Sequence, residues 1–458
     1  MSLFFSKILI RIYQTRKKYI SHRNFILLAS FIVGLVTALA AVFLKWFISV
    51  LEHQATRINT WLDSNWLTAL LPMLGLLGSY LLLTRFFRYR LSRGVTPVIR
   101  SIFQNNSRMH KRHTFGHMLT SGITVAFGGS AGLEAPIVAT GAAIGSNTAT
   151  DLRLSKRETM LLLACGTASG IAAIFNAPIA GIIFTLEVLL IDFTIPFFIP
   201  LLISTATASV VSQLLYPDRF YFQVTEDWAF SALPFYLLLG IFCGMIAIYT
   251  VRTTEKFDKI FTRWGMGSKS LVVGGAVMCL MIFLFPPLYG EGYLTIVHLL
   301  KGNEKMLLAH AIYESVSQSA WMILLVAFIV MLLKPIATAL TIGAGGNGGV
   351  FASSLMIGGL AGFVFSKLVN ITGWFHLQVP GFIIAGMAGM LAGVIHAPLT
   401  SIFLIAEITG GYILFIPLMM VSAISYFMVR STDAYSIYHK SLAKAGLLPD
   451  QSHSSDTI

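Results

Sequence analysis

The sequence predicts an all-α integral membrane protein built from two repeated halves, with helices that stop or start inside the bilayer. Three observations carry this. Hydrophobic residues make up 56% of the 458-residue chain and charged residues 11%, under half of the about 25% usual for soluble domains. Apolar runs of membrane-crossing length recur along the chain. Two stretches also echo one another at an offset of 220 residues, from Gly166 to Gly386. Gly166-Thr167-Ala168-Ser169-Gly170 leads through Asn176-Ala177-Pro178 to Glu187. Gly386-Met387-Ala388-Gly389-Met390 leads through His396-Ala397-Pro398 to Glu407. Such an echo in an apolar chain marks a duplicated membrane unit.

The elements follow in order. Residues 1–23 carry Lys7, Arg11, Arg16, Lys17, Lys18 and Arg23 and no acid, so they read as a basic cytoplasmic N-terminus. The apolar run from Phe25 to about Leu51 is too long for a signal-peptide core. Further apolar segments fall at 67–86, 115–148, 158–173, 176–190, 195–214, 229–250, 269–288, 312–338, 351–370, 379–395, 398–411 and 412–430. This places a first membrane repeat over 24–250 and a second over 270–444. A basic cytoplasmic linker over 251–269 joins them, and a polar, disordered cytoplasmic tail covers 445–458. The stretch 290–311 reads as a moderately polar loop, and 103–116 and 149–158 as charged turns.

Charge and special residues narrow the class. The formal net charge of +13 lies in short segments between apolar runs. That is the pattern of cytoplasmic loops in a multi-pass protein of the cell's inner (plasma) membrane, not of a nucleic-acid-binding surface. Cys165, Cys243 and Cys279 each sit in apolar sequence, which suggests neither disulfides nor a metal cluster. The sequence has no phosphate-binding loop or dinucleotide fingerprint. A transport protein without a cofactor is expected rather than an enzyme.

Two apolar segments open on glycine. One begins with Gly129, Gly132 and Pro136; the other with Gly343, Gly345, Gly346, Gly348 and Gly349. Gly132-Leu133-Glu134-Ala135-Pro136 aligns with Gly349-Val350-Phe351-Ala352-Ser353 at an offset of 217, and Gly141 and Gly145 then align with Gly358 and Gly362. Helices that start at membrane depth need protein or a water-filled site to cover their free amides. Their N-termini suit an anion. The residues alone leave open whether the repeat is parallel or inverted.

Candidate site residues follow from these starts. Glu134, at the mouth of a broken helix, can occupy an anion's place as a carboxylate and release it on protonation; the plainer reading is a helix cap. Glu187 and Glu407 sit at matching positions after Ala-Pro, which fits a shared architectural role equally well. Arg85, Arg88, Arg90 and Arg93 precede Gly94 and would concentrate anions at an entry, or simply be solvated. Phe351 closes the five-glycine stretch, and Tyr438 offers a hydroxyl donor; either could be ordinary packing.

These ordered motifs resemble the CLC family of chloride channels and chloride–proton antiporters, over about residues 25–444. The family's first anion-binding motif falls on Ser92-Arg93-Gly94-Val95-Thr96. Its gating-glutamate motif falls on Gly132-Leu133-Glu134-Ala135-Pro136. Its Gly-x-Phe-x-Pro motif falls on Gly349-Val350-Phe351-Ala352-Ser353, and its anion-coordinating tyrosine on Tyr438, with Tyr435 the weaker match. The resemblance is to prokaryotic members without C-terminal CBS domains. It implies inverted-topology repeats and a homodimer formed through helices around 195–250 and 398–430. It implies chloride bound by the amides of Val350 and Phe351, with Arg93 and Gly94 at the first motif and Glu134 as gate.

Three departures from the family stand out. Arg93 replaces the central serine of the first motif. Thr96 and Ser353 replace prolines, so those helix starts are expected to be held less rigidly. Val188 follows Glu187 where family exchangers often carry a second glutamate as the internal proton relay. Valine carries no proton. The sequence therefore favours a passive, Glu134-gated anion channel over a proton-coupled chloride antiporter. A carrier for another ion, fluoride included, and a non-transporting membrane scaffold are the readings of other kinds.

Overall fold

Glycine-rich turns and Ala-Pro steps mark several of the helix breaks in this chain. The computed structural model describes residues 21–62, 65–87, 94–190, 195–217, 222, 228–265, 267–309, 311, 319–373, 375–444 and 446. Its helices are α1 (His22–Leu62), α2 (Asn65–Leu81), α3 (Thr96–Gln104), α4 (His113–Ala126), α5 (Glu134–Asp151) and α6 (Lys156–Phe175). Then come α7 (Pro178–Leu189), α8 (Ile195–Leu215), α9 (Leu233–Trp264), α10 (Ser268–Leu284), α11 (Tyr293–Leu300) and α12 (Ala320–Gly343). The last are α13 (Phe351–Thr372), α14 (Val379–Ile395), α15 (Pro398–Ile408), α16 (Phe415–Thr432) and α17 (Lys440–Lys444). Among the described residues, 8 helices are long and apolar enough to cross a membrane, so this is an all-α, multi-pass membrane protein. Helices α7 and α15, with 12 and 11 residues, fall well short of the ~20 that a bilayer core needs.

The chain folds as two compact units interleaved in sequence. The first comprises Met1–Trp46, Leu91–Met118 and Pro136–Arg219; the second comprises Phe47–Arg90, Leu119–Ala135 and Phe220–Ile458. Leu119–Ala135, a piece of the first repeat, packs with its own counterpart from the second.

In the first unit, α5 and α6 meet backbone to backbone. A side chain on Gly141 would collide with the Gly166 carbonyl, and one on Gly145 with the Leu162 carbonyl. Helix α6 begins with a capping box, Ser155 and Glu158 each satisfying the other's backbone amide. It ends on Asn176, whose left-handed backbone (φ 55°) stops the helix before Ala177-Pro178. Lys45 donates to the Ala173 carbonyl at 3.0 Å, meeting an acceptor in the last turn of α6.

The second unit repeats this grammar. A side chain on Gly358 would meet the Gly386 carbonyl, and one on Gly362 the Phe382 carbonyl. Helix α14 stops on His396 in the left-handed conformation (φ 56°) before Ala397-Pro398. The echo in sequence is thus an echo in geometry.

One expectation is corrected. The stretch 290–311 is not an irregular loop: α11 and a 3-10 turn over Glu304–Leu307 occupy most of its described part, because Tyr293–Leu300 is almost wholly apolar. The segment 251–269 is helical through Trp264. It has no glycine or proline before Gly265, and Glu255 and Lys259 sit at helix-stabilising i, i+4 spacing. As the glycines led one to expect, the apolar run 115–148 is cut between Ala126 and Glu134, where Gly128, Gly129 and Gly132 interrupt it. Residues 1–20, and the tail 445–458 apart from Gly446, lie outside the described residues.

Candidate functional site

Two helix starts meet around a local two-fold. Helices α4 and α12 each end at a glycine-containing turn, and α5 and α13 begin beyond it. Gly128 (φ 86°) and its repeat counterpart Gly345 (φ 122°) both take a backbone conformation that side chains disfavour. Gly132 and Gly349 then form an isolated antiparallel bridge. Its two hydrogen bonds, Gly132 N–H to Gly349 C=O and the reverse, are both 2.8 Å. Thr341 Oγ1 accepts from the Ser130 amide at 3.1 Å. Thr124 Oγ1 accepts from the Asn347 amide at 3.0 Å. Each is the other's mirror at the 217 offset. Residues related by the repeat bond to one another and run in opposite directions, as an inverted repeat requires.

The glycines are there for closeness. A Cβ on Gly132 would lie 2.8 Å from the Ala352 Cβ, and one on Gly349 would lie 2.7 Å from the Ala135 Cβ. These approaches bring the first turns of α5 and α13 side by side. Their first amides have no partner within their own helices and carry the positive ends of the helix dipoles.

Glu134 opens α5 and is 1% exposed. Its Oε1 accepts a hydrogen bond from the Tyr293 hydroxyl at 2.5 Å. Its Oε2 lies over Gly132, close enough that any side chain there would displace it. The Ala352 amide of α13 faces the same carboxylate. Val350, in the N-cap position of α13, and Phe351, its first residue, are both buried. Tyr438, at 5% exposure, lies within electrostatic reach of Glu134; Tyr435 is only half-buried.

A third segment completes the site, and sequence reasoning passed over it. Gly290 donates to the Gly128 carbonyl at 3.1 Å. The Tyr289 ring lies where a side chain on Gly128 would have to go. Lys334, on α12 and 0% exposed, donates to the carbonyls of Gly290 at 2.7 Å and Leu288 at 3.4 Å. Glu291 lies within electrostatic reach of both Lys334 and Glu134. Two signals marked this segment. Gly290-Glu291-Gly292-Tyr293 has the glycine spacing of a tight helix start, and Lys334 is a lone lysine inside an apolar run.

The structure gathers Glu134, Val350, Phe351 and Tyr438 in the second unit. Glu407, half-buried on α15, belongs to that unit too. Gly94 (φ 70°) lies in the first unit, just ahead of α3. On α7 of that unit, Glu187 is half-buried and Val188 is 1% exposed. Arg93 lies outside the described residues, as do Ser92, Arg88 and Arg90. Ser353 accepts from the Thr338 hydroxyl at 2.7 Å. That bond ties α12 to the first turn of α13, a tie that the family's proline could not make.

A family model described as voltage gated chloride channel matches residues 74–430. The chain belongs to that family. It is therefore a membrane transport protein of the CLC fold and not an enzyme. Among curated relatives, a putative chloride channel protein ClcB-like from Ralstonia nicotianae is 28% identical over 396 residues, spanning 83% of this chain and 86% of the relative. The voltage-gated ClC-type chloride channel ClcB of Escherichia coli is 26% identical over 433 residues, spanning 91% and 99%. Among solved structures, a slow cyanobacterial Cl⁻/H⁺ antiporter superposes with a TM-score of 0.76 at 21% identity, covering 93% of this chain and 99% of that one. A CLC-type fluoride/proton antiporter superposes at 0.71 with 24% identity, covering 91% and 97%. At such identities these likenesses speak to the fold.

Proposed function

We propose that this protein exchanges chloride, or a similar small anion, for protons across the cell's inner membrane, with Glu134 as the gate. The observation that carries this is the burial of the Glu134 carboxylate at the paired starts of α5 and α13. Helix amides there favour a negative charge, and the carboxylate supplies one. An anion can take the place only when the carboxylate leaves, and protonation removes the charge that holds it. The amides of Val350 and Phe351 and the hydroxyl of Tyr438 are the anion's contacts. The basic run Arg85, Arg88, Arg90 and Arg93 would concentrate anions at an entry.

Coupled exchange displaces the order read from Val188 alone. A gate held shut by a hydrogen-bonded carboxylate favours a proton in every cycle. The fold also accommodates coupling, since a Cl⁻/H⁺ antiporter and a fluoride/proton antiporter share it. The second reading is a passive channel. Its support is Val188, a buried valine where an internal proton relay could stand, and the channel names of the curated relatives. The resemblance also carries assembly as a homodimer, which molecular mass in detergent tests.

Purified protein in liposomes tests the mode. A chloride gradient should drive protons uphill against an opposing proton gradient. Chloride flux without proton movement would establish the channel instead. Glu134→Gln should abolish proton coupling and the pH dependence of chloride flux. Competition of labelled chloride with fluoride and nitrate ranks the anions.

A further inference from the structure

We propose that Tyr293 is the latch of the gate, a positioning residue whose hydroxyl holds the Glu134 carboxylate in place and so sets the pH at which transport begins. The inference rests on reading Glu134 as the gate. An ionised carboxylate only accepts hydrogen bonds, and the neutral tyrosine hydroxyl donates one. Their separation of 2.5 Å is that of a charge-assisted bond.

Tyr293 is held so that it cannot follow the carboxylate out. It opens α11, and the residue before it, Gly292 (φ 95°), lies so close to Met356 of α13 that a side chain there would collide with it. Upstream, Gly290 is fixed through its amide to Gly128 and through its carbonyl to Lys334. The turn is thus tied to α12, to α13 and to the approach to α5. When Glu134 moves, the bond must break.

The other polar groups near Glu134 frame the effect. The Ala352 amide faces it from α13, Tyr438 from the C-terminal segment, and Glu291 from the turn ahead of α11. Glu291 is an acid and works against a second negative charge. Lys334 of α12 and Glu52 of α1 act on Glu291. The Tyr293 hydroxyl favours the ionised carboxylate. Removing it leaves the gate to take up its proton at higher pH.

The test uses the full chain in liposomes, with chloride efflux followed across a pH series for wild type, Tyr293→Phe, Glu134→Gln and the double variant. Phenylalanine keeps the ring, so elution should match wild type and melting should fall by no more than the loss of one hydrogen bond. In Y293F the half-maximal pH should rise by about one to two units, as expected for loss of one hydrogen bond to a charged group. E134Q should lack pH dependence, and adding Y293F to it should restore none. A wild-type profile in Y293F, with E134Q insensitive to pH, overturns the latch and leaves the gate. A wild-type profile in E134Q overturns the gate, and the latch with it. Infrared titration of the protonated-carboxyl band that E134Q abolishes reads the same shift without transport. A band titrating identically in Y293F and wild type also overturns the proposal.

Discussion

Gly132 and Gly349 lie 217 residues apart, yet each donates its backbone N–H to the other's carbonyl at 2.8 Å. They hold equivalent places in the two repeats, so the bridge lies on the local two-fold that relates the starts of α5 and α13. Neither can carry a side chain without pressing on the other half: Gly132 abuts Ala352, and Gly349 abuts Ala135.

Gly132→Ala and Gly349→Ala should therefore separate packing from gating. Each overfills a tight contact and should destabilise the protein by about 1–3 kcal/mol, read as a lower melting temperature in detergent. Only Gly132 also lies beneath the Glu134 Oε2. Gly132→Ala alone should weaken the pH dependence of chloride flux. Matching pH profiles in the two variants would count against the seating of the Glu134 Oε2 over Gly132.

Thr124→Val and Thr341→Val remove the two symmetry-related acceptors of the Asn347 and Ser130 amides. Each leaves a buried N–H without its partner, at a cost of about 1–3 kcal/mol. The two losses should be similar, because the environments repeat. Thermal melts of both variants, measured together, check this.

Lys334→Met removes the donor shared by the carbonyls of Leu288 and Gly290, and the positive charge beside Glu291. Leaving these two buried carbonyls without their donor costs about 1–3 kcal/mol. Lys334→Arg should rescue this only in part, since a planar guanidinium does not replace a compact ammonium. Melting temperature and monodispersity report the result.

Val188→Ala should cost about 2 kcal/mol through the cavity it opens. The proton-to-anion ratio should stay as in wild type, because neither side chain carries a proton. A changed ratio would make Val188 part of the proton route by some means other than titration.

The legible parts of this chain were those written as pattern. The Gly-rich starts before Glu134 and Phe351 declared broken helices, and Asn176-Ala177-Pro178 and His396-Ala397-Pro398 declared matching turns. The bridge between Gly132 and Gly349 was not legible. An alignment says that two residues are equivalent, not that they touch. Tyr293 was hidden for a similar reason. Nothing local links it to Glu134, 159 positions away, and α11 is too short for its apolar character to stand out against a polar-looking stretch. Lys334 was more open to view, since a lysine amid Met331-Leu332-Leu333 and Pro335-Ile336-Ala337 must find carbonyls or an acid. Which ones it finds depends on a turn more than 40 residues upstream.

The duplicated frame is even-handed at its closest contacts: Gly128, Gly129 and Gly132 answer Gly345, Gly346 and Gly349, Thr124 answers Thr341, and Ala135 answers Ala352. At the first residue of the two facing helices the symmetry fails, because Glu134 stands where the other repeat has Phe351. One helix start can gain and lose a charge, and its twin cannot. A passage lined by two such ends has a built-in direction. With Glu134 as the proposed gate, acidity would be sensed through one repeat and met by an inert ring in the other, so acidifying the two sides of the membrane should not have the same effect.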